Sequence, residues 1–493
     1  MTAYFSDIHC HPTLRPFNML KESVWYKKEP FFGVTLPVAN YSQASMIQLS
    51  RSNVKIAFAS LYPVEQGCFK LNGSTAKEAD LLIDLFLQFP SKRVNKVESQ
   101  HHDYFEDLNN EYLWLKKDER KPKGDHSFII ATGFEDIKKL FAIDDNFNIT
   151  NNESPVILVL TIEGAHSLGC GQENTKDVDP DDLENINTQA LLSKLKKNIN
   201  ILKNWNGGNH CPLFITFCHH FWNQLCGHSI SFAKMANKLI NQDSKANPDY
   251  NTSFTKLGME VLYELVKRNE NGKRILIDTK HMTVSARKWY YQYALEHDIP
   301  VLSSHSAVNE IDDLDTSHDQ CDSHHNADKK YLNSQTFNNW DINLSKEEII
   351  LVVKTGGLIG LNFDQRILTG KVQLAFVKLQ QFLACKADKK RLWAKPIVNN
   401  LIRIVQILAA EFGPEDNRIW EHITIGSDFD GIINPLHKYT TVEEYPSLVP
   451  VLCESLREQR TLDILKNKSN EQIDEIVEGF KYKNALRFLS KNY

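Results

Sequence analysis

Apolar positions fall into two patterns along this chain. Eight short runs are rich in β-branched, aliphatic or aromatic residues, four to eight residues long and bounded by turn or polar residues: Tyr4–Ile8, Val54–Leu61, Val156–Ile162, Leu213–Cys218, Arg274–Asp278, Pro300–Ser304, Leu358–Asn362 and His422–Gly426. Runs without polar alternation predict strands buried on both faces, as in a parallel sheet. Between them, apolar residues recur at helical spacing. One predicted helix carries Leu257, Val261, Leu262, Leu265 and Val266 on one face and stops at Asn271-Gly272. Another, Ser285 to His297, sits between two strands at the spacing of a βαβ unit. A last one opens with the capping box Ser469-Asn470-Glu471-Gln472 and continues through Ile473, Ile476, Val477 and Phe480. Eight strands alternating with helices predict an α/β protein of the (β/α)₈ TIM-barrel type.

Length changes that picture little. A barrel needs only about 250 residues, so the 493 present read as one domain, 1–493, with insertions at about 63–153, 170–190, 306–341 and 370–395. The first insertion holds a helical hydrophobic run, Leu81 to Phe89, and a charged stretch from Lys116 to Asp125, too little apolar material for a core of its own. The 57 Lys+Arg against 62 Asp+Glu, a net charge of −5, give no basic surplus for nucleic acid. Nine scattered cysteines with no Cys-x-x-Cys indicate buried thiols in a reducing compartment. No apolar stretch approaches the ~18 residues of a membrane span, so no membrane partner is expected. The chain reaches His9 with no apolar signal core before it; cytoplasm is the expected location.

Chemistry concentrates where the strands end, which in this barrel type is where catalytic groups project. The first strand ends in His9-Cys10-His11, the third in Glu163, the fourth in His219-His220, the fifth in His281, the sixth in His305 and the eighth in Asp428. Residues two apart on a strand share a face, so His9 and His11 can grip one ion. Imidazole nitrogens and carboxylate oxygens suit zinc or a similar divalent metal. A carboxylate such as Glu163 can bridge two ions about 3.5–4 Å apart that share and activate one hydroxide.

Each residue alone has an ordinary reading. A single strand-end histidine, His281 or His305, is commonly just hydrogen-bonded, and Asp428 alone could cap a turn before Gly431. Their joint placement at one end of eight strands is what argues for a metal site. His219 and His220 alternate, and only one points inward. His166 reads as positioning the loop after Glu163, His324-His325 as solvent-exposed, Cys10 as packing away from the ligands, and Lys116 to Lys123 as a solvated face.

In order along the barrel, the chain carries Asp7-Ile8-His9-Cys10-His11-Pro12, Ser60-Leu61-Tyr62-Pro63, Glu163-Gly164-Ala165-His166-Ser167-Leu168 and Thr216-Phe217-Cys218-His219. It continues with Leu276-Ile277-Asp278-Thr279-Lys280-His281, Pro300 to Ser306 and Gly426-Ser427-Asp428-Phe429-Asp430-Gly431. Asn343-Leu344-Ser345-Lys346-Glu347-Glu348 followed by Gly356-Gly357-Leu358-Ile359-Gly360 fits before and within the seventh strand. In these segments the chain resembles the membrane dipeptidase (renal dipeptidase-like, peptidase M19) family of the amidohydrolase superfamily. The resemblance implies two divalent ions, zinc by expectation. His9 and His11 would hold one and His281 and His305 the other, with Glu163 bridging. His219 would polarise the scissile carbonyl, and Asp428 would handle protons beside the bridging hydroxide. A homodimer is expected by the same analogy.

Two departures stand out. The family's first strand carries His-x-Asp where this chain has His9-x-His11, removing one negative charge. The family's arginine for the substrate carboxylate is replaced by Ile342, and by sequence proximity Arg287 or Arg366 could supply the cation. The expected function is hydrolysis of an amide or peptide bond in a small, dipeptide-like substrate. The alternatives are a lactonase, esterase or phosphoesterase on the same metal pair, and a non-catalytic metal-containing binding protein.

Overall fold

Strands apolar on both faces need cover on both, and a ring of parallel strands wrapped by helices provides it. The computed structural model describes residues 4–30, 38–69, 89–151, 155–172, 175, 177–232, 252–318 and 336–493. Its strands are β1 (Phe5–Cys10), β2 (Val54–Leu61), β3 (Phe128–Ile130), β4 (Val156–Glu163), β5 (Phe214–Thr216), β6 (Leu276–Asp278), β7 (Leu302–Ser306), β8 (Leu358–Leu361) and β9 (Ile423–Ile425). All paired strands are parallel, in the order β1-β2-β4-β5-β6-β7-β8-β9. The ring closes beyond β9, where the Asp428 N–H donates to the His9 carbonyl and the His11 N–H to the Phe429 carbonyl, both at 2.9 Å. The result is a (β/α)₈ barrel. The eight expected strands are all present, their ends shifted by no more than two residues.

β3 is the strand the hydrophobic pattern does not announce. Its three residues are too short a run to read, and they hold because Phe128 to Ile130 pair with Val156 to Leu158 at the start of β4. The chief helices are α1 (Tyr104–Lys117), α2 (Ile186–Lys203), α3 (Lys256–Val266), α4 (Val284–Glu296), α5 (Lys346–Lys354), α6 (Lys371–Leu383), α7 (Lys386–Phe412), α8 (Tyr445–Glu458) and α9 (Asn470–Glu478). The Ser469 capping box forms as its sequence predicts. α3 ends earlier than expected: Lys267 turns extended, and Asn269 to Gly272 make a separate turn.

One apolar core runs through barrel and helices, and α1 contributes Leu108, Tyr112 and Leu115 to it. The same insertion also gives this core β3, Phe134, Ile137, Phe141 and Ile149, while its Phe69, Phe89 and Val97 join Leu14 and Tyr62 in a satellite cluster. Of the run from Leu81, only Phe89 is among the described residues, and His324-His325 also lie outside them. The described cysteines are all free thiols.

Candidate metal centre

Glu163 closes β4 at the centre of the barrel mouth, 3% exposed, and five imidazoles turn their Nε2 atoms toward it. His9 Nε2 lies 3.2 Å from Glu163 Oε1 and His11 Nε2 3.2 Å from Oε2. His219, His305 and His281 stand 3.6, 3.8 and 3.9 Å from Oε1. Asp428 Oδ1 completes the group, 3.6 Å from His11 Nε2 and 3.9 Å from His9 Nε2. All the candidate ligands expected from the sequence thus meet at one point. His219 joins them at ligand range, with Glu163 and His281. His220 is the neighbour that turns aside, its Nδ1 2.6 Å from Ser231 Oγ.

Which ring nitrogen carries the proton follows from the partners. A carbonyl only accepts, so His11 Nδ1, 3.1 Å from the Ser60 oxygen, is protonated and donates. Ser304 Oγ donates to Asp278 Oδ2 at 2.6 Å, leaving its oxygen to accept from His305 Nδ1 at 2.8 Å and His9 Nδ1 at 3.1 Å. With the Nδ1 proton so placed, each ring can present an Nε2 lone pair to the centre once Nε2 is deprotonated, the form a metal ligand needs. His9 Nε2, His11 Nε2 and His281 Nδ1 are buried with no hydrogen-bond partner. The two Nε2 atoms face the centre, where an orphaned buried nitrogen is costly, and a divalent ion is the group this donor set fits; His281 turns its Nε2, not this Nδ1, inward. Asp278, within reach of His9 and His305 as well, went unread in the sequence as part of the centre; its position three residues before His281 is the only signal.

Electrostatics agree. Burial works against charge on every group here. For Glu163 the neighbouring His219, His11 and His9 outweigh it, and the carboxyl is held well below its usual range. Burial and the neighbouring charges of His219 and His220 push His281 far down, and burial with His9 and Lys280 does the same for His305. Both therefore stay neutral. His11 goes the other way: burial opposes the charge, but Glu163 and Asp428 raise it to about 10. The two carboxylates require a positive charge at this spot.

No family model matches the sequence, and no curated protein matches it. Solved structures do resemble the chain. They include the dipeptidase AC, a metallo peptidase of family M19, at 13% identity and TM-score 0.52 over 100% of this chain and 99% of that one. A metallo peptidase from Rhodobacter sphaeroides, liganded with a phosphinate mimic of the dipeptide L-Ala-D-Ala, superposes at 14% identity and TM-score 0.53 over 100% of both chains. The probable dipeptidase PvdM from Pseudomonas aeruginosa does so at 15% identity and TM-score 0.54 over 100% and 96%. The fold is that of the metallo dipeptidases. It agrees with the resemblance read from the motifs.

In this metallo-dipeptidase fold the loops after the strands hold strain where the ligands sit. His281 has φ 69°, Asp428 φ 63°, Asp430 φ 68° and Ile432 φ 64°, conformations non-glycine residues avoid. Gly164, after Glu163, has φ +86°, and a Cβ there would lie 2.3 Å from the His166 ring. Gly431 leaves room for the Asp428 carboxylate, which a Cβ would approach to 2.1 Å. Asp430, beside it, is structural: it accepts from Arg15 Nε at 2.9 Å and from the backbone of Gln43 and Ala44.

Glu65 is a member of the site that the sequence did not disclose. Four residues beyond β2 and buried, its Oε2 accepts from His219 Nδ1 at 2.7 Å and Tyr62 OH at 3.1 Å, and its Oε1 from the Phe221 N–H at 3.1 Å. His166 Nε2 donates to the Pro63 carbonyl at 2.8 Å, tying the loop after Glu163 to the one after β2. Cys10 faces the core, its thiol 3.8 Å from the Phe58 carbonyl.

Arg287 does not reach the site, contrary to the expectation from its sequence position. Its donors are spent on Glu348 at 2.6 Å and on the carbonyls of Met282 and Asp341. Arg366 grips Asp364 through Nε at 2.9 Å and Nη2, with about a third of its side chain exposed. The better-placed cation is Lys280, 3% exposed. Among the described residues its Nζ makes one hydrogen bond, 3.3 Å to the carbonyl of Ile342. Burial lowers its pKa to about 8, against the pull of Asp428 and Asp278.

Proposed function

We propose that the chain is a metal-dependent hydrolase acting on an amide or peptide bond of a small, dipeptide-like substrate, with two divalent ions, zinc by preference. The observation that carries this reading is the convergence of five imidazole Nε2 atoms and two carboxylates on one buried point with unsatisfied nitrogens. His9, His11 and Asp428 would hold one ion and His281 and His305 the other, with Glu163 between them. Such ions supply a Lewis acid for the carbonyl oxygen and a water acidic enough to attack near neutral pH.

The protein's own groups divide the remaining work. Asp428, 16% exposed at the side chain, would take the proton of the attacking water on the carboxylate oxygen not turned to His9 and His11 and pass it to the leaving amine nitrogen as the C–N bond breaks. His219, oriented by Glu65, donates from Nε2 to the carbonyl oxygen as charge builds there. Its charged form is opposed by burial and favoured more strongly by Glu163 and Glu65. Lys280 offers its ammonium to the substrate carboxylate, the task Ile342 cannot perform. Among the described residues no helix is long and apolar enough to cross a membrane, and the free thiols support a reducing compartment such as the cytoplasm.

The test is metal content and turnover of the purified chain after zinc reconstitution, on dipeptides, N-acyl amino acids and matched lactone and phosphodiester compounds. About two ions per chain and fastest cleavage of the amides are expected, with both lost in Glu163→Gln. Absence of bound metal, or metal retained in full by Glu163→Gln, would sink the assignment. Faster lactone or phosphodiester cleavage would move it to the alternative hydrolases.

A further inference from the structure

Helix α6 wears its apolar face outward. On the inner side Val377 is fully buried and Leu374 packs half-buried against the core, beside half-buried Gln373, Gln380 and Gln381. Gln381 Oε1 accepts from Trp393 Nε1 and lies as far from His437 Nδ1, 3.2 Å in each case. On the outer side Val372, Phe376, Leu379 and Phe382 are 55, 47, 67 and 80% exposed. Spacings of four, three and three residues keep these side chains along one ridge. The other large exposed apolar side chains of the described residues fall singly or in pairs elsewhere in the chain. Contiguous exposed apolar ridges mark interaction sites.

Charge narrows the choice of partner. Residues 370–395 hold seven Lys and Arg (Lys371, Lys378, Lys386, Lys389, Lys390, Arg391, Lys395) against one acid, Asp388, a balance of +6 in a chain of −5. Arg391 is paired with Glu454 and Glu458, whereas Lys371 and Lys378, exposed beside the ridge, have no acidic partner among the described residues. A second copy would bring one basic surface against another. An apolar ridge with lysines at its flanks is what an interfacial helix offers an anionic bilayer, the two signals together giving stable attachment where either alone is weak.

We infer that α6 docks the protein on an anionic lipid surface, Val372, Phe376, Leu379 and Phe382 entering the acyl boundary and the flanking lysines meeting the headgroups. α6 follows the mouth-side end of β8, and its N-cap Gly370 N–H donates to the Thr336 carbonyl at 2.9 Å. The membrane contact is peripheral, with no spanning segment required.

Co-sedimentation of the full-length, metal-loaded protein with vesicles tests this, comparing phosphatidylcholine alone with a mixture containing phosphatidylserine. Binding to the mixed vesicles should exceed that to phosphatidylcholine by about tenfold and fall with added salt. Leu379→Ser/Phe382→Ser should abolish it and Lys371→Glu/Lys378→Glu weaken it by about tenfold, with turnover and thermal midpoint unchanged. No binding to either vesicle, or equal binding by the serine double variant, overturns the inference. So does a wild-type dimer that this variant makes monomeric, which assigns the ridge to a second copy. A marked loss of thermal stability in that variant also overturns it, because the ridge is then covered by the chain itself.

Discussion

Replacing Glu65 by glutamine probes the proposed chemistry without touching a metal ligand. The carboxylate receives three donors at 2.7–3.1 Å: His219 Nδ1–H and Tyr62 O–H on Oε2, and the Phe221 N–H on Oε1. Glutamine keeps the volume but has one acceptor oxygen. With that oxygen toward His219, its NH₂ faces the Phe221 N–H; reversed, it faces the imidazole and the phenol. Either way a buried donor loses its acceptor, at about 1–3 kcal/mol. The orientation of His219 should loosen with it. Outer-shell partners of this kind typically carry 10–100-fold in activity, or about 1.4–2.7 kcal/mol of barrier.

The expected result in Glu65→Gln is therefore a kcat lowered by about 10–100-fold with KM nearly constant, and metal content unchanged. Loss of the negative charge also lowers the pKa of His219, which Glu65 helps to raise. If the donating form of His219 is the charged one, the alkaline limb of the kcat profile must move to lower pH, a shift that mere loosening of the fold would not produce. Steady-state kinetics across pH 5–10, with a thermal midpoint on the same sample, measures both effects. A kcat within twofold of the parent and an unmoved alkaline limb would refute the positioning role of Glu65.

Ser304→Ala removes the acceptor for both His9 Nδ1 and His305 Nδ1, so zinc affinity by competitive chelation should fall by about 10–100-fold with the fold intact; unchanged affinity would show that the rings are fixed otherwise. Lys280→Met keeps the buried stem and removes the ammonium, so KM for an N-acyl amino acid should rise by about tenfold or more with kcat little changed. A neutral N-acyl amide should be unaffected, and equal effects on both substrates would exclude Lys280 as the carboxylate partner. Because His11 is raised to about 10 in the metal-free chain, its proton is bound at pH 7 and must leave when the nitrogen takes an ion. Zinc affinity should therefore climb with pH up to about that value, and calorimetry in two buffers of different ionisation heat should record at least one proton released.

What the sequence disclosed follows a physical rule. His9, Glu163, His219, His281, His305 and Asp428 are readable because each is a polar residue that ends an apolar run, and strand ends are fixed by local pattern. Glu65 is not, because its meaning depends on His219 arriving from 154 residues away. Ser304 and Asp278 are hidden for the same reason: a serine inside a strand signals nothing until two histidines are seen to lean on it. Arg287 misleads because nearness along the chain is not nearness in space; α4 turns it inward to Glu348, 61 residues on. In α6 the heptad-like stripe is plain in the sequence, but no periodicity says which face a helix buries, and here the glutamines lie inside.

The charge balance of the centre bears on which substrate it accepts. Glu163 and Asp428 bring two formal negative charges to the ligand set, and His11 brings none where the resembling family has an aspartate. Buried Asp278 and Lys280 offset each other nearby. Two divalent ions sharing one hydroxide in this cage would bring positive charges about one unit beyond what the ligands compensate, in surroundings where burial makes charge expensive. A neutral lactone or ester supplies nothing to balance them. A substrate with a free carboxylate does, and Lys280, whose ammonium has one carbonyl as its hydrogen-bond partner among the described residues, is the group placed to receive it. The loss of the arginine at position 342 therefore need not mean the loss of an acidic substrate, since the ligand set has itself become more positive and a lysine one residue before His281 adds to the attraction.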